Sequence, residues 1–342
     1  MMRGTRGGGT RVVPATSLLI LSLIVTGCTG DGESRAFQRE FADDPVVESM
    51  ELTSHDNQPF TGGVSGDVVA RETASDEEIA ALAARIGDYT RDNADRMRGK
   101  VSLAVGGIEM VVTGDAAIDD ERARLLLALR ADPSVTSAAI EETTVSVTGG
   151  SAEEAILWAR DLPPLLEDIA PSRPWRMSIR SADDCVALTG EAALMADAAR
   201  LWDAVVARVP VSGIRARDDD ERFIVALRHE ADLAGARAAS ADLSLGGGMS
   251  TAFESDLIRL GDSDGEDARL LFSRLDEPTR ARISYVWISD TRIQVAVRTD
   301  DDLASLADVV DAALPPRISE AWLVSENDAD TRLAVRPSGD AA

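Results

Sequence analysis

Thiols and imidazoles are scarce in this chain, with two cysteines and two histidines among 342 residues. That scarcity excludes a disulfide framework and a multi-thiolate zinc site. Lysine is nearly missing: Lys100 is the only one, and arginine supplies the rest of the 35 basic residues. Acids outnumber bases, 60 to 35, for a formal net charge of −25. A surface of that sign repels phosphate backbones, so nucleic acid is excluded as a partner. Aromatic residues make up only 4% of the chain, too few to suggest the stacking platforms of carbohydrate clefts. What is plentiful is apolar residue, at 44%, enough for two or three globular cores.

The N-terminus has the layout of an address. Arg3, Arg6 and Arg11 precede an apolar run that peaks over residues 18–25, and small residues then lead to Val25–Thr26–Gly27–Cys28. Charge, apolar stretch and small residues in that order describe a secretory signal peptide. The apolar run is shorter than the roughly 20 residues a bilayer-spanning helix needs. Its ending in Gly27–Cys28 resembles the bacterial lipobox. That resemblance implies cleavage after residue 27, diacylation of Cys28, and a cell membrane lipoprotein facing outside the cytoplasm. Loss of residues 1–27 removes three arginines and no acid, leaving 315 residues with 60 acids against 32 bases, or −28. Such a body is repelled by anionic headgroups, so the lipid does the holding. Residues 28–44, rich in Gly, Asp, Glu, Ser and Arg, read as a tether that lets the body stand off.

Beyond the tether the chain repeats itself. IEMVVTGDAA (108–117), CVALTGEAA (185–193) and LIRLGD (257–262) each precede a helical pattern and recur about 75 residues apart. Interleaved with them are DVVAR (67–71), TVSVT (144–148), FIVALR (223–228) and IQVAVR (293–298), short apolar runs of strand type. Ser75 with Glu78 and Ser151 with Glu154 are capping-box pairs, and Thr299 with Asp302 is a looser version. Pro163–Pro164 should kink or split the helix that contains them. The polar or glycine pairs at 106–107, 182–184, 218–220, 289–290 and 327–328 mark hairpin turns.

The expected fold is α+β. Tandem β-α-β-β-α-β two-layer sandwiches, each an antiparallel sheet with helices on one face, repeat about every 75 residues. The expected division is a first unit at 45–141 with an extra N-terminal strand, a second at 142–217 and a third at 218–290. A partial fourth unit with a tail covers 291–342. The alanine-rich stretch before Gly246–Gly247–Gly248 is expected to be partly irregular. The strand–Thr–Gly–acid–helix pattern of VALTGE (186–191) and VVTGD (111–115) resembles the BON domain over roughly 30 residues per unit. That resemblance implies an envelope or periplasmic protein built from tandem modules that contact the membrane or envelope.

Chemistry is hard to find. There is no Gly-x-Ser-x-Gly elbow and no phosphate loop. His55 and His229 read as solvated loop and strand-end residues, and Cys185 as a half-buried apolar residue. The acidic stretches 218–221 and 262–267 read as solvated turns, since the second lacks the glycine position and closing glutamate of a calcium loop. The five tryptophans, spread along the chain, suggest several small cores. The sequence thus singles out no catalytic, cofactor-binding or metal-ligating residue, and only Cys28 as a modification site. The reading is a non-catalytic, lipid-anchored adaptor. Its partners are the membrane through the lipid and a basic envelope protein or cell-wall polymer. The alternative is an extracytoplasmic hydrolase whose carboxylate pair is hidden among the 60 acids.

Overall fold

The computed structural model describes residues 32–335 apart from 55–62, 96, 98, 172, 329 and 330. Cys28 and His55 lie outside the described residues. After helix α1 (Gly32–Phe41) the chain keeps one rhythm of two strands and then a helix. Strands β1 (Val47–Ser54) and β2 (Val64–Ala70) lead into α2 (Asp76–Asp92), and β3 (Val101–Val105) and β4 (Ile108–Val112) into α3 (Ala116–Arg130). Next come β5 (Val135–Ile140), β6 (Thr144–Gly149) and α4 (Ala152–Ile169), then β7 (Arg176–Ser181), β8 (Val186–Gly190) and α5 (Ala192–Val206). They are followed by β9 (Val211–Arg217), β10 (Arg222–Leu227) and the short α6 (Leu233–Ser240). The last third holds β11 (Ser250–Glu254), β12 (Ile258–Leu260), α7 (Glu266–Arg274) and α8 (Glu277–Arg280). It closes with β13 (Ile283–Ser289), β14 (Arg292–Val297), α9 (Asp300–Ala313), β15 (Glu320–Ser325) and β16 (Arg332–Val335).

The fold is α+β with repeated β-α-β units. Its sheets are mixed, not antiparallel, and they are continuous. Strands β1–β11 form one sheet in sequence order, and β12–β16 a second. Within each sheet, hairpins join antiparallel neighbours and helical crossovers join parallel ones. The positions expected to part the units, 141/142, 217/218 and 290/291, fall in the β5–β6, β9–β10 and β13–β14 hairpins. A two-strand turn reads the same from sequence whether the flanking sheet continues or stops. The ladder breaks elsewhere, where a β11–β12 hairpin would be. There the Ser255 hydroxyl accepts from the Leu257 and Ile258 amides, both at 3.2 Å, and donates to Glu230 at 2.7 Å, closing a tight turn.

All helices of the first sheet share one face, because every fully buried strand residue points that way: Leu103, Met110, Ile140, Val147, Ile179, Leu188, Ile214 and Val225. Successive crossovers run along strands of opposite direction yet place their helices on that same face. Their handedness therefore alternates, against the right-handed preference of single crossovers. The hairpins force this, since each reverses the chain while advancing one strand.

Local signals behave as their chemistry requires. Ser75 and Glu78 form a complete capping box, and Asp115 caps α3 by accepting from the Ala117 and Ile118 amides. Ser151 accepts from the Glu154 amide, whereas Thr299 spends its hydroxyl on Asp302 and leaves the backbone uncapped. The turns at Asp184, Glu221 and Asp290 use positive φ. Helix α4 is not split: it runs through Pro163 and Pro164, held on both sides by buried Trp158, Leu162 and Leu166. The stretch after α6 is irregular as expected, with Gly247 and Gly248 at positive φ.

The segment expected to be a tether is a helix for most of its length. Phe37 and Phe41 of α1 are buried against Tyr89, with ring centroids 4.7 to 5.8 Å apart. Burial of each phenylalanine contributes about 1.5–3 kcal/mol, enough to hold a helix with few other apolar residues.

Candidate functional site

Helices cover one side of each sheet, and the other side decides what the molecule can touch. On the first sheet the uncovered face is built from small and hydroxylated side chains: Ala104, Ser137, Ala139, Ser146, Thr148, Ser178, Ala187 and Thr189, all exposed or half-buried. Alternation explains it, since the partner positions on the same strands carry the core. Towards β7–β10 the face gathers arginines. Arg176 holds Asp218 through two bonds, at 2.7 and 2.5 Å, Arg217 lies 3.4 Å from Asp219, and Arg222 donates to the carbonyls of Gly261 and Ser263. The acids of 218–221 are thus partly spent on neighbouring guanidiniums.

At the seam between the sheets this face runs into an open groove of about 670 Å³, lined by Ser212, Arg215, Arg228, His229, Glu254, Asp256, Arg259 and Trp287 among others. Arg215 comes from β9 and Glu254 from the end of β11. Their bidentate pair, with Nη2 2.7 Å from Oε2, is extended by a 3.0 Å bond from Arg215 to the Leu260 carbonyl. His229 Nδ1 lies 3.4 Å from Asp256, whose other oxygen accepts from the Glu230 amide at 3.2 Å. Arg228 and Arg259 are exposed, and among the described residues no carboxylate is paired with either. Arg259 stacks on the Tyr285 ring, its guanidinium carbon 3.7 Å from the centroid. With Arg215 and Glu254 cancelling, the groove carries net positive charge on a chain of −25.

Trp287 continues the groove across the second sheet. Arg259 pairs in register with Trp287, Trp287 with Gln294, and Gln294 with Trp322, across β12, β13, β14 and β15. Their neighbours Ile258, Val286, Ile288, Ile293, Val295 and Leu323 are fully buried beneath α7 and α9, so this row lies on the uncovered side. Trp287, Gln294 and Trp322 are half-buried. Trp158, Trp175 and Trp202 are core residues, 6 to 8% exposed. The expectation of tryptophans serving small cores therefore holds for three and is corrected for Trp287 and Trp322, which point outward from strand positions.

The residues singled out from sequence are placed apart. Cys185, half-buried, has its thiol pKa raised, first by burial and then by a hydrogen bond to Asp183, which disfavours the reactive thiolate. His229 meets an acid but no nucleophile, because the nearby Ser255 hydroxyl is committed to Glu230 and Ser212 donates to the Ala226 carbonyl at 3.1 Å. In 262–267, Asp262 lies near Arg222, Asp264 accepts from the Glu266 amide, and Asp267 pairs with Arg317. Among the described residues no cluster of three or more metal donors occurs, and no helix is long and apolar enough to cross a membrane. The groove residues Arg215, Arg228, Arg259, Trp287, Gln294 and Trp322 were not singled out. The available signal was arginine ending an apolar strand, as in FIVALR. No family model, no curated protein and no solved structure matches the chain.

Proposed function

We propose that the protein is a non-catalytic scaffold, anchored outside the cytoplasm through lipid on Cys28, that binds an envelope partner on the uncovered faces of its two sheets. The observation that carries this reading is the one-sided covering of a continuous eleven-strand sheet. An enzyme site requires one asymmetric, rigidly supported constellation, whereas a long face with repeating small hydroxyl side chains suits extended recognition. Along β7–β10 the uncovered face carries Arg176, Arg180, Arg217 and Arg222, whereas its β1–β4 end carries the exposed acids Glu51, Asp67 and Glu109. The arginine stretch of the sheet face thus suits something neutral or acidic, while the exposed helical acids Glu77, Asp88, Glu153, Asp161 and Asp203 suit a basic protein.

The test has two arms. Cys28→Ser should release the protein from the membrane fraction, and mass spectrometry of the wild type should find acyl chains on Cys28. Capture from envelope extracts with the full chain should recover partners at low salt that are lost at high salt. Unchanged membrane retention of Cys28→Ser would overturn the anchor. Turnover of an ester or glycan substrate, abolished by a single acid substitution, would overturn the scaffold.

A further inference from the structure

We infer that the seam groove and the Trp287–Gln294–Trp322 row together bind an acidic glycan, a polysaccharide whose sugars carry carboxylate or phosphate groups. This deepens the scaffold reading and rests on it. Three observations converge on the ligand class. First, two indoles stand half-exposed in one register row on an uncovered sheet face, in a chain whose other three tryptophans are buried. Large aromatic surface is kept in contact with water only at some cost, and a flat face of this kind matches the apolar side of a pyranose ring. Second, Trp287 and Trp322 are separated by the single strand β14, hence about 9.5 Å apart across the sheet, comparable to the length of a disaccharide. Gln294 lies between them with an amide that can both donate to and accept from sugar hydroxyls. Third, the row ends at Arg259, whose stacking on Tyr285 fixes the guanidinium plane and leaves its N–H edges for a ligand. Arg228 lines the same groove.

Charge decides between neutral and acidic sugars. The chain as a whole repels anions, yet Arg228 and Arg259 stand without paired carboxylates among the described residues, in a groove whose other charged or titratable residues are the Arg215–Glu254 pair, Asp256 and the exposed His229. Even where it is exposed, a guanidinium gains more from a carboxylate or phosphate that it can hold by two bonds than from a neutral hydroxyl. A neutral glycan would use the indoles and leave both arginines unanswered. A polyanion without sugar rings would use the arginines and leave the indoles wet. Only a ligand with both features uses the whole surface.

The experiment is affinity electrophoresis of the full acylated chain in detergent through gels containing polygalacturonate, the neutral polysaccharide pullulan, or polyglutamate. Selective retardation by polygalacturonate is expected. Trp287→Ala and Trp322→Ala should each weaken it roughly tenfold, the effect of losing one stacked ring. Arg259→Gln should remove the preference for polygalacturonate over pullulan. Circular dichroism melting curves like the wild type's establish that each variant folds, and a change in the fluorescence of the half-buried indoles with polygalacturonate in the unmutated protein gives a readout independent of folding. Equal retardation by polyglutamate, equal retardation by pullulan, or none by polygalacturonate would each overturn the inference. A protein that ignores every glycan yet still captures a basic envelope protein leaves the scaffold reading standing and removes only its ligand.

Discussion

Arg215 grips Glu254 within the first sheet, beside the seam where that sheet ends, and the same guanidinium reaches across the seam to the Leu260 carbonyl on the first strand of the second sheet. The Glu254 side chain is 13% exposed and the Arg215 side chain 43%, so the pair is a partly dried clamp. Beneath it, Ile224 and Ala252 from the uncovered face of the first sheet join the core of the second. Apolar burial and the ion pair act at the same junction. The groove depends on that junction being held.

Arg215→Ala leaves Glu254 half-dried and unpaired, and should destabilise the junction by about 1–2 kcal/mol. Urea denaturation measures the loss. Hydrogen exchange should localise it to β11, β12 and the turn at Ser255. In a double-mutant cycle with Glu254→Gln, coupling near zero would mean that Glu254 does not hold Arg215 in place at the junction.

Arg122 presents the opposite case. It is 1% exposed, with one Nη donating to the Val111 carbonyl at 2.8 Å and Nε lacking a partner. Its pKa is lowered, first by burial and then by the nearby Arg173. Such a charge is sheltered at some expense, so a well-packed apolar residue of similar volume should do as well. Arg122→Met is expected to fall within about 1 kcal/mol of wild type. Arg122→Ala, which opens a cavity, should cost about 2–4 kcal/mol. Thermal melts of the pair distinguish packing from charge, and a large loss in Arg122→Met would show the guanidinium to be essential.

Asp302 sets an acid limit on the second sheet. Its carboxyl is held below the ordinary value of 3.8, first by the hydrogen bond from Thr299 Oγ1 at 2.7 Å and then by Arg282, against the effect of burial. A depressed carboxylate contributes stability that is complete above its unfolded value and is lost as pH falls through the lower folded value. Stability of the 258–335 half should therefore fall with acid below about pH 4. Asp302→Asn should flatten that slope while lowering stability at pH 7. Fluorescence-monitored unfolding between pH 3 and 7 reads both, and an unaltered acid slope in Asp302→Asn would assign the sensitivity to other acids.

Strands, helix starts and turns were legible because each rests on neighbours in sequence: period-two runs, Ser75 with Glu78, Asp115 before α3, and the glycines at 106–107. Sheet continuity was not legible. Whether 141–144 is a hairpin inside a sheet or a link between domains depends on β5 pairing with β6, and the turn residues Glu141, Glu142, Thr143 and Thr144 carry none of the glycine or asparagine of a strong hairpin signal. The faces of Trp287 and Trp322 were hidden for a related reason. In YVWIS (285–289) and AWLV (321–324) both parities are apolar, so alternation assigns no side, and only the register with Gln294 does. In α1 the sequence GESRAFQREF reads as polar, but its two phenylalanines stand at i and i+4, one face of a helix. That signal was present and is short enough to pass for a tether.

The docking of α1 bears on the lipid anchor proposed at Cys28. From Cys28 to the first helical residue, Gly32, there are four chain steps, spanning at most about 14 Å. With α1 packed on Tyr89, an acylated Cys28 holds the body close to the bilayer despite its charge. Undocking would add the length of the helix to the leash and let the backbone at Arg35 and Arg39, whose side chains are already exposed, unwind into a protease. Phe37→Ala removes the ring that contacts both Phe41 and Tyr89, at about 3 kcal/mol or more. That cost shifts local opening of α1 roughly a hundredfold and leaves the strand pairing of the sheets in place. Trypsin added to membranes bearing the wild-type protein should release the body slowly. For Phe37→Ala, release by cleavage after Arg35 or Arg39 should be at least tenfold faster, while the melting curve of the remaining fold is little changed. Equal release rates would mean that α1 is not held by these rings, and that residues 28–44 act as the loose tether their composition suggests.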